Sequence, residues 1–289
     1  MNTVLIGNPG KFSYSLREAL RTLKTNIKFS GDDIKVIMFT STAPYEGKSS
    51  VTFNLAKSLT ESGKNVLLID TDMRKSVLVS RLQVKNEDGS EIMGLSHYLS
   101  GQKSIDETTY KTDIDDLYVM FAGPAVPNPT ELLEKKYFSK LIKNARDCFD
   151  YVLVDTAPLG AAIDAAIVSR YCDTTVLVVA QNSEPIKSIV AAKHQIESAG
   201  GKILGVVLNK VNVGKMGLGK YYGGYYGKYY GKYYGKYYNE EKAKKKSGLN
   251  SVLKIKDKPK KEKPKKEKPP KVKKEKPVKP TKQTVIKPN

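Results

Sequence analysis

Residues 41–50 spell STAPYEGKSS and lie between an apolar run, Ile34–Thr40, and a helical pattern over Lys48–Ser62. Gly-Lys-Ser at a strand-to-helix turn is the core of a phosphate-binding loop. In such a loop the backbone N–H groups and the helix N-terminus hold phosphates, while the lysine, here Lys48, reaches their β- and γ-oxygens. The serine that follows, Ser49, would ligate Mg²⁺. The match is partial, because Thr42 stands where the usual pattern begins with glycine.

Two further segments place carboxylates at the ends of apolar runs. The segment LLIDTDMR, residues 67–74, carries Asp70 and Asp72, and YVLVDTAP, residues 151–158, carries Asp155. In open α/β sheets, ligands bind at the carboxyl ends of the strands. A single aspartate at such a position also fits a cap or a solvated turn. Three of them beside a Gly-Lys-Ser loop favour a nucleotide and metal site.

Short apolar runs alternate with helical patterns before residue 210. The predicted strands are Ile34–Thr40, Asn65–Asp70, Leu117–Ala122, Tyr151–Asp155, Thr174–Ala180 and Ile203–Asn209. The predicted helices are Ser13–Phe29, Lys48–Ser62, Thr130–Phe149 with Thr130 as N-cap, Asp164–Arg170 and Pro185–Ala199. Strands that are apolar almost throughout are buried on both faces, as in a parallel sheet covered by helices. The sequence therefore predicts a doubly wound, mostly parallel α/β fold of the P-loop NTPase type.

The charge divides the chain near residue 213. Residues 1–213 hold 25 Lys and Arg against 24 Asp and Glu, whereas residues 214–289 hold 25 Lys against 6 acids. We expect one P-loop domain over residues 1–213, a Gly/Tyr/Lys cluster over residues 214–238 and a Lys- and Pro-rich tail over residues 239–289. The tail should be disordered, because it has too few apolar side chains to offset chain entropy.

Ten tyrosines lie between positions 221 and 238, in five tetrads of the form GKYY or GGYY. They are Tyr221, Tyr222, Tyr225, Tyr226, Tyr229, Tyr230, Tyr233, Tyr234, Tyr237 and Tyr238. Such repeats also fit a nucleic-acid contact, since tyrosine stacks on bases and lysine meets phosphate. A row of hydroxyls beside a phosphate-handling domain instead favours phosphoacceptors. The core is nearly neutral and has no basic stripe, so we expect no nucleic-acid partner.

These motifs resemble, in order and spacing, those of the bacterial tyrosine kinases of capsule and exopolysaccharide assembly. PYEGKSS is similar to the family's Walker A loop, LLIDTDMR to its second acidic motif and YVLVDTAP to Walker B. The resemblance spans about residues 12–238. It implies an ATP-dependent protein-tyrosine autokinase that phosphorylates the tyrosine cluster between subunits and regulates polysaccharide synthesis and export.

Phosphoryl transfer by such a site gives each residue an expected role. The expected substrate and cofactor are ATP and Mg²⁺. The nucleotide-binding residues would be Glu46, Gly47, Lys48, Ser49, Ser50 and Asn209, and the metal ligands Ser49, Asp72 and Asp155. Asp70 would accept the tyrosine proton, although its role and that of Asp72 could be exchanged. Asn209 resembles the position that recognises adenine in related ATPases, and a plain strand-terminal turn is the alternative. Arg74 fits a phosphate contact, a pair with Asp72 or a surface salt bridge.

The resemblance also implies partners. Glu18, Arg21 and Lys24 match the segment through which the family's subunits associate in a ring, with Lys24 in place of an arginine. Lysine keeps the charge but not the planar fork for bidentate pairing. The family implies a separate transmembrane adaptor, a polysaccharide co-polymerase, and a phosphotyrosine phosphatase. The basic tail would suit an anionic membrane surface.

No stretch of 18 or more apolar residues occurs, and residues 1–11 lack the apolar core of a signal peptide. We therefore expect a cytoplasmic protein that lies at the inner face of the membrane through its adaptor. The alternative function is a partitioning or cell-division ATPase of the same P-loop branch. Those proteins usually carry a lysine five residues before the loop lysine, and that position is Ala43 here. A second departure from the kinases is Tyr45 in place of glycine, which could strain the loop or change its gating.

Overall fold

The computed structural model describes residues 2–212, so the tyrosine cluster, the tail and the disorder expected of it lie outside the described residues. The strands within that range are β1 (Asn2–Ile6), β2 (Val36–Ser41), β3 (Val66–Asp70), β4 (Val84–Asn86), β5 (Tyr110–Thr112), β6 (Leu117–Met120), β7 (Tyr151–Asp155), β8 (Thr174–Ala180) and β9 (Ile203–Asn209). The helices are α1 (Tyr14–Phe29), α2 (Lys48–Thr60), α3 (Leu78–Leu82), α4 (Leu95–Leu99), α5 (Ile105–Thr108), α6 (Pro129–Glu134), α7 (Lys136–Cys148), α8 (Asp164–Ser169) and α9 (Ile186–Ser198).

The strands of the described range form one sheet, in the order β4-β1-β5-β6-β3-β7-β2-β8-β9. Strands β1 and β4 pair antiparallel, as do β5 and β6, and the remaining neighbours are parallel. The predicted doubly wound, mostly parallel α/β fold is confirmed.

Helices cover both faces of the sheet, and β2 shows how the sequence accomplishes this. Val36 and Met38 point to a core shared with α7, α8 and α9, whereas Ile37 and Phe39 point to a core shared with α1 and α2. Successive side chains of a strand alternate between the two faces. A strand buried on both faces must therefore be apolar at nearly every position, which is the pattern that the sequence shows.

The strand order brings the predicted site residues to one edge. Strand β2 lies between β7 and β8, and β3 lies on the other side of β7. Asp155, the last residue of β7, pairs in register with Phe39 of β2 and with Asp70 of β3. All three strands run in the same direction, so the loop after β2 and both acidic strand ends meet at the carboxyl edge of the sheet.

One predicted helix is wrong. Thr130–Phe149 is two helices, α6 and α7, separated by extended backbone at Lys135. The buried residues Leu133 and Phe138 are five positions apart, which in one unbroken helix would turn them about 140° away from each other. The break lets each helix bury its own apolar side. Thr130 is also not the N-cap, because Asn128 precedes the helix and Pro129 occupies its first turn.

The start of α1 was predicted correctly, whereas several short elements were missed. Helix α1 begins after Ser13, whose hydroxyl accepts a hydrogen bond from the Leu16 N–H (3.2 Å), as a helix N-cap does. The short strands β1, β4 and β5 and the short helices between β3 and β5 were not predicted. Within residues 2–212, none of the helices combines the length and the apolar character that a bilayer crossing needs.

Candidate active site

The phosphate-binding loop runs from the end of β2 to the start of α2. Gly47 has a φ of 93°, a left-handed conformation that glycine adopts without strain. A Cβ atom at Gly47 would lie 2.2 Å from the Asn209 side-chain nitrogen, so another residue would both strain the backbone and displace Asn209. Within the described chain no side chain caps the start of α2, which leaves its first N–H groups for a bound anion.

Tyr45 adopts the left-handed conformation that the family's glycine would favour. Its φ is 64° and its side chain is 80% exposed. For a bulky residue this backbone costs roughly 1–2 kcal/mol. The Lys210 ammonium donates a hydrogen bond to the Tyr45 carbonyl (2.6 Å), and the Asn209 amide donates one to the next carbonyl, that of Glu46 (2.8 Å). The end of β9 thus holds the loop in this left-handed conformation. Of the two effects expected of Tyr45, the strain is seen in the backbone, and a change of gating stays a prediction.

Glu46 lies inside the protein rather than facing a ligand. Its carboxylate is 2% exposed and accepts hydrogen bonds from the Ala43 N–H (2.9 Å), the Ala180 N–H (3.1 Å) and the Ser183 hydroxyl (2.7 Å). These bonds join the two arms of the loop to the end of β8. The side chain shapes the loop, and any contact of Glu46 with a nucleotide would be through its backbone.

Lys48 lies among the carboxylates predicted to share its site. Its ammonium is 3.5 Å from Asp72 Oδ2, 3.9 Å from Asp155 Oδ1 and 3.3 Å from the Ser49 hydroxyl. Burial alone would lower the pKa of Lys48, but the negative charges of Asp155, Asp72 and Asp70 outweigh it and raise the pKa. The lysine is therefore held in its charged form, ready for phosphate oxygens.

Asp70 and Asp155 are buried side by side on neighbouring strands. Burial, together with the charge of Asp155, raises the pKa of Asp70 to about 7. The Ser76 hydroxyl (2.5 Å) and the Asp72 N–H (3.0 Å) donate to its two oxygens and partly oppose that rise. Burial also raises the pKa of Asp155, against the opposing effects of Lys48 and of a hydrogen bond from Ser49. A carboxylate with a pKa near neutrality can exchange a proton at physiological pH.

The donor set fits a nucleotide with a hard cation. Among residues 2–212, the buried side-chain atoms without a hydrogen-bond partner include Asp155 Oδ1 and the hydroxyls of Thr42 and Ser50, alongside others elsewhere in the fold. A buried carboxylate oxygen without a hydrogen bond is costly unless a ligand binds it, even though Lys48 lies 3.9 Å from it, and oxygen is the donor that Mg²⁺ prefers. The described residues contain no cluster of three His, Cys, Asp or Glu side chains suited to hold a metal alone. A hydroxyl such as that of Ser49 and phosphate oxygens would have to complete the ligands.

Arg74 does not pair with Asp72. Its guanidinium binds both oxygens of Asp164, with Nε at 2.6 Å from Oδ2, and the Thr130 hydroxyl donates to the same carboxylate (2.7 Å). This buried carboxylate ties the loop after β3 to the starts of α6 and α8. Sequence reasoning missed Asp164 and Ser76 as supports of the site. The one available signal for Asp164 was an acidic residue at the start of a predicted helix.

The residues predicted for subunit association differ in their surroundings. Glu18 and Arg21 pair at 3.2 Å on the surface of α1, with the Arg21 side chain 70% exposed. The Lys24 ammonium instead donates to the Ser58 carbonyl and the Ser62 hydroxyl, both at 2.8 Å, and so joins α1 to α2 within one subunit. The association roles of all three stay predictions, and the ten predicted phosphoacceptor tyrosines lie outside the described residues.

The loop, the doubly wound sheet and the acids at its carboxyl edge define a nucleotide-binding protein of the P-loop class. A family model described as "AAA domain" matches residues 34–197. The chain is 40% identical over 215 residues to the tyrosine-protein kinase CpsD of Streptococcus pneumoniae, which covers 74% of this chain and 93% of that protein.

Among solved structures, the kinase domain of Escherichia coli tyrosine kinase ETK is 32% identical to this chain, with a TM-score of 0.63. The match covers 71% of this chain and 78% of the ETK chain. The septum site-determining protein MinD of Pyrococcus horikoshii OT3 is 23% identical, with a TM-score of 0.53, and the match covers 63% of this chain and 72% of the MinD chain. At that identity the likeness shows the fold alone. The chain belongs to the bacterial tyrosine kinases of capsule and exopolysaccharide assembly, and it is a protein-tyrosine kinase.

Proposed function

We propose that this kinase transfers the γ-phosphoryl group of ATP, in the presence of Mg²⁺, to tyrosines 221–238 of a neighbouring copy and thereby regulates capsular or exopolysaccharide synthesis and export. The observation that carries the proposal is the position of Lys48, whose ammonium lies between Asp72 and Asp155 directly after the phosphate-binding loop. Phosphoryl transfer needs positioning and charge neutralisation more than covalent help. A largely enclosed cation flanked by two carboxylates is suited to both.

Each side chain then has one task. Lys48 would bind the β- and γ-phosphate oxygens, while Ser49, Asp72 and Asp155 would hold Mg²⁺. When bound, Mg²⁺ neutralises charge on the transferring phosphoryl group. Asp70 accepts the phenol proton as the tyrosine oxygen bonds to phosphorus and ADP leaves. Its pKa of about 7 suits a general base that works near neutral pH.

The partners follow from surface and charge. The exposed Glu18–Arg21 pair is available to a neighbouring subunit in a ring, whereas Lys24 already has partners within its own subunit. We place the kinase at the cytoplasmic face of the membrane on a separate transmembrane adaptor, with a phosphotyrosine phosphatase that resets the cluster. Residues 214–289 carry 25 lysines against 6 acids. That charge favours an anionic membrane surface, to an extent that salt would weaken.

The first experiment incubates the full-length chain with Mg-ATP and probes it with an anti-phosphotyrosine antibody, followed by mass spectrometry of the modified peptides. We expect label on tyrosines 221–238. A partitioning or cell-division ATPase would hydrolyse ATP without labelling itself. Absence of phosphotyrosine on a protein that still hydrolyses ATP would overturn the proposal.

A mixing experiment tests transfer between copies. The acceptor is full-length Lys48→Met protein, and the donor is an active chain with Phe in place of all ten cluster tyrosines. We expect label on the acceptor. Arg21→Ala in both proteins should lower labelling and assembly about two- to fivefold, as loss of an exposed charge contact does. The control is Lys28→Ala, which changes an exposed residue in the last turn of α1 and should lower neither. An unlabelled acceptor would refute transfer between copies.

A further inference from the structure

A groove of about 480 Å³ lies beside the phosphate-binding loop. One wall is residues 42–44 of the loop, the second is residues 159–161 after β7, and the third is one side of α9 together with Glu184. The Gly160 N–H donates to the Thr42 carbonyl (3.0 Å), which joins the first two walls. Gly47, Lys48 and Ser49 do not line this groove. The groove therefore adjoins the phosphate site without being part of it.

The chemistry of the groove is simple. The side of α9 that lines it carries small or uncharged residues, Ser188, Ala191, Ala192 and Gln195, and the wall after β7 includes Gly160 and Ala161. Among the described residues that line the groove, Glu184 is the one with a charge. Walls of this kind accept a flat ring, and a single carboxylate at the rim favours a cation next to that ring.

The cluster of this chain has the matching composition. Residues 219–238 contain four lysines and ten tyrosines and no acidic residue. Each GKYY tetrad therefore offers a ring and an ammonium close together. Four residues of extended chain span roughly 13–14 Å, so one tetrad could be held beside the loop while the next tetrad presents its tyrosine to the phosphates. Holding one tetrad while the next one reacts requires a repeated tetrad.

We propose that this groove docks an unmodified GKYY tetrad of a second copy and thereby positions an adjacent tetrad for phosphorylation. The proposal rests on the proposed phosphorylation of the cluster between copies. Docking turns the second contact into an intramolecular one and raises the local concentration of acceptor. Each phosphotyrosine adds about −1.5 to −2 charges, so Glu184 repels a modified tetrad and the groove exchanges it for an unmodified one.

The first test uses the full-length kinase and two acceptor peptides, one with a single tetrad (GKYY) and one with two (GKYYGKYY). With the wild-type kinase we expect the KM per tyrosine to be about fivefold lower for the two-tetrad peptide, with kcat unchanged, as an added docking contact predicts. Glu184→Lys, or Ala191→Phe on the exposed wall of the groove, should abolish that advantage. The matched control is Glu197→Lys, which changes an exposed acid of α9 outside the groove and should preserve it.

The second test identifies the occupant. A photoreactive benzoylphenylalanine replaces Ala191 in full-length protein of natural isotope content, which is mixed with ¹⁵N-labelled full-length protein and irradiated. We expect cross-links to heavy peptides from residues 219–238, and fewer after prior phosphorylation of the heavy copies. Cross-links to a different segment, or none, would overturn the proposal.

The two proposals fail in distinguishable ways. If wild-type kinase does not label tyrosines 221–238 at all, the proposed function fails. If it labels them while the advantage of the two-tetrad peptide is absent, or survives in both groove variants, only the docking groove fails.

Discussion

Asp173 precedes β8 at the amino edge of the sheet, and Asp155 ends β7 at the carboxyl edge. Burial alone would raise the pKa of Asp173, but hydrogen bonds from Arg146 and from the N–H groups of Val36 and Lys35 outweigh it and lower the pKa. Asp150, at the same edge, has a pKa lowered mainly by the Asn65 N–H and further by Lys64. At the carboxyl edge, burial raises the pKa of both Asp155 and Asp70.

The carboxylates at the two edges have different roles: those at the amino edge stabilise the fold, and those at the carboxyl edge form the candidate site. Carboxylates at the amino edge have their oxygens satisfied by the protein itself, so their charge stabilises the fold. Asp70, Asp72 and Asp155 at the carboxyl edge instead surround the Lys48 ammonium, and Asp155 Oδ1 has no hydrogen-bond partner within the described chain. An incompletely satisfied buried charge costs folding free energy and gains it back when a ligand binds. The site is thus maintained at the expense of stability.

The largest expected effect follows from removing the cation of the carboxyl edge. Lys48→Met should lower tyrosine phosphorylation at least about a hundredfold, as loss of a group that stabilises transition-state charge does, while the chain stays folded. Radiolabel incorporation measures the phosphorylation, and circular dichroism measures whether the chain is folded. The matched control, Lys64→Met, removes a cation paired with Asp150 at the amino edge and should change activity less than about twofold. Near-normal labelling by Lys48→Met would refute the P-loop mechanism.

Asp155→Asn should lower activity somewhat less, by about thirty- to a hundredfold, because a neutral amide oxygen remains as a weaker metal ligand. Steady-state kinetics across a Mg²⁺ titration is the measurement. Partial recovery at high Mg²⁺ is expected of a metal ligand and not of a proton acceptor. Asp150→Asn is the control at the opposite edge and should show no Mg²⁺-dependent defect. A defect in Asp155→Asn that no Mg²⁺ concentration alters would contradict the assigned role.

Asp173→Ala should affect stability and spare activity. Losing the ion pair and two backbone hydrogen bonds should lower the free energy of unfolding by about 2–3 kcal/mol near neutral pH, less than for a fully buried pair because Arg146 is partly exposed. The folded pKa of Asp173 is lowered, so its contribution is present above the unfolded pKa and is lost as the pH falls through the folded one. Urea denaturation from pH 7 down to about pH 3 should show the two proteins converge. A constant difference would speak against the ion pair.

Asp70→Asn should have the opposite effect on stability. The folded pKa of Asp70 is raised to about 7, so the folded state binds more protons than the unfolded chain between about pH 4 and 7, and wild-type stability falls as pH rises through that window. Without nucleotide or Mg²⁺, the variant should be more stable than wild type by about 1–3 kcal/mol at pH 8 and nearly equal at about pH 4. Denaturation at both pH values tests this. A variant less stable than wild type at pH 8 would show that the ionised Asp70 carboxylate does not destabilise the fold.

Much of the fold could be predicted from local patterns. The strands β2, β3, β7 and β8 are apolar almost throughout, and the loop with its Gly-Lys-Ser follows the first of them. Strands β4 and β5 have three residues each, too few for any periodicity to show. The helix break at Lys135 was also hidden, because each half alone has a good helical pattern.

For the candidate site, the sequence names the residues but not their contacts. Glu46 was taken as a nucleotide contact because it stands in the loop, yet its carboxylate binds Ala180 and Ser183, far away in sequence. Lys24 was matched to an association segment, yet its ammonium binds the end of α2. In both cases the partner belongs to an element that is distant along the chain, and no local pattern contains it.

The sequence by itself determined the class of the protein, because a phosphate-binding loop and strand-end acids are local features whose spacing survives without a structure. Only the tertiary structure decided how those acids behave. The pKa of Asp70 depends on its burial, on the charge of Asp155 in the next strand and on the Ser76 hydroxyl, and each of these depends on distance in space. Residue order fixes which groups reach the carboxyl edge. Desolvation and close approach, which follow from packing, fix which of them carry a proton there.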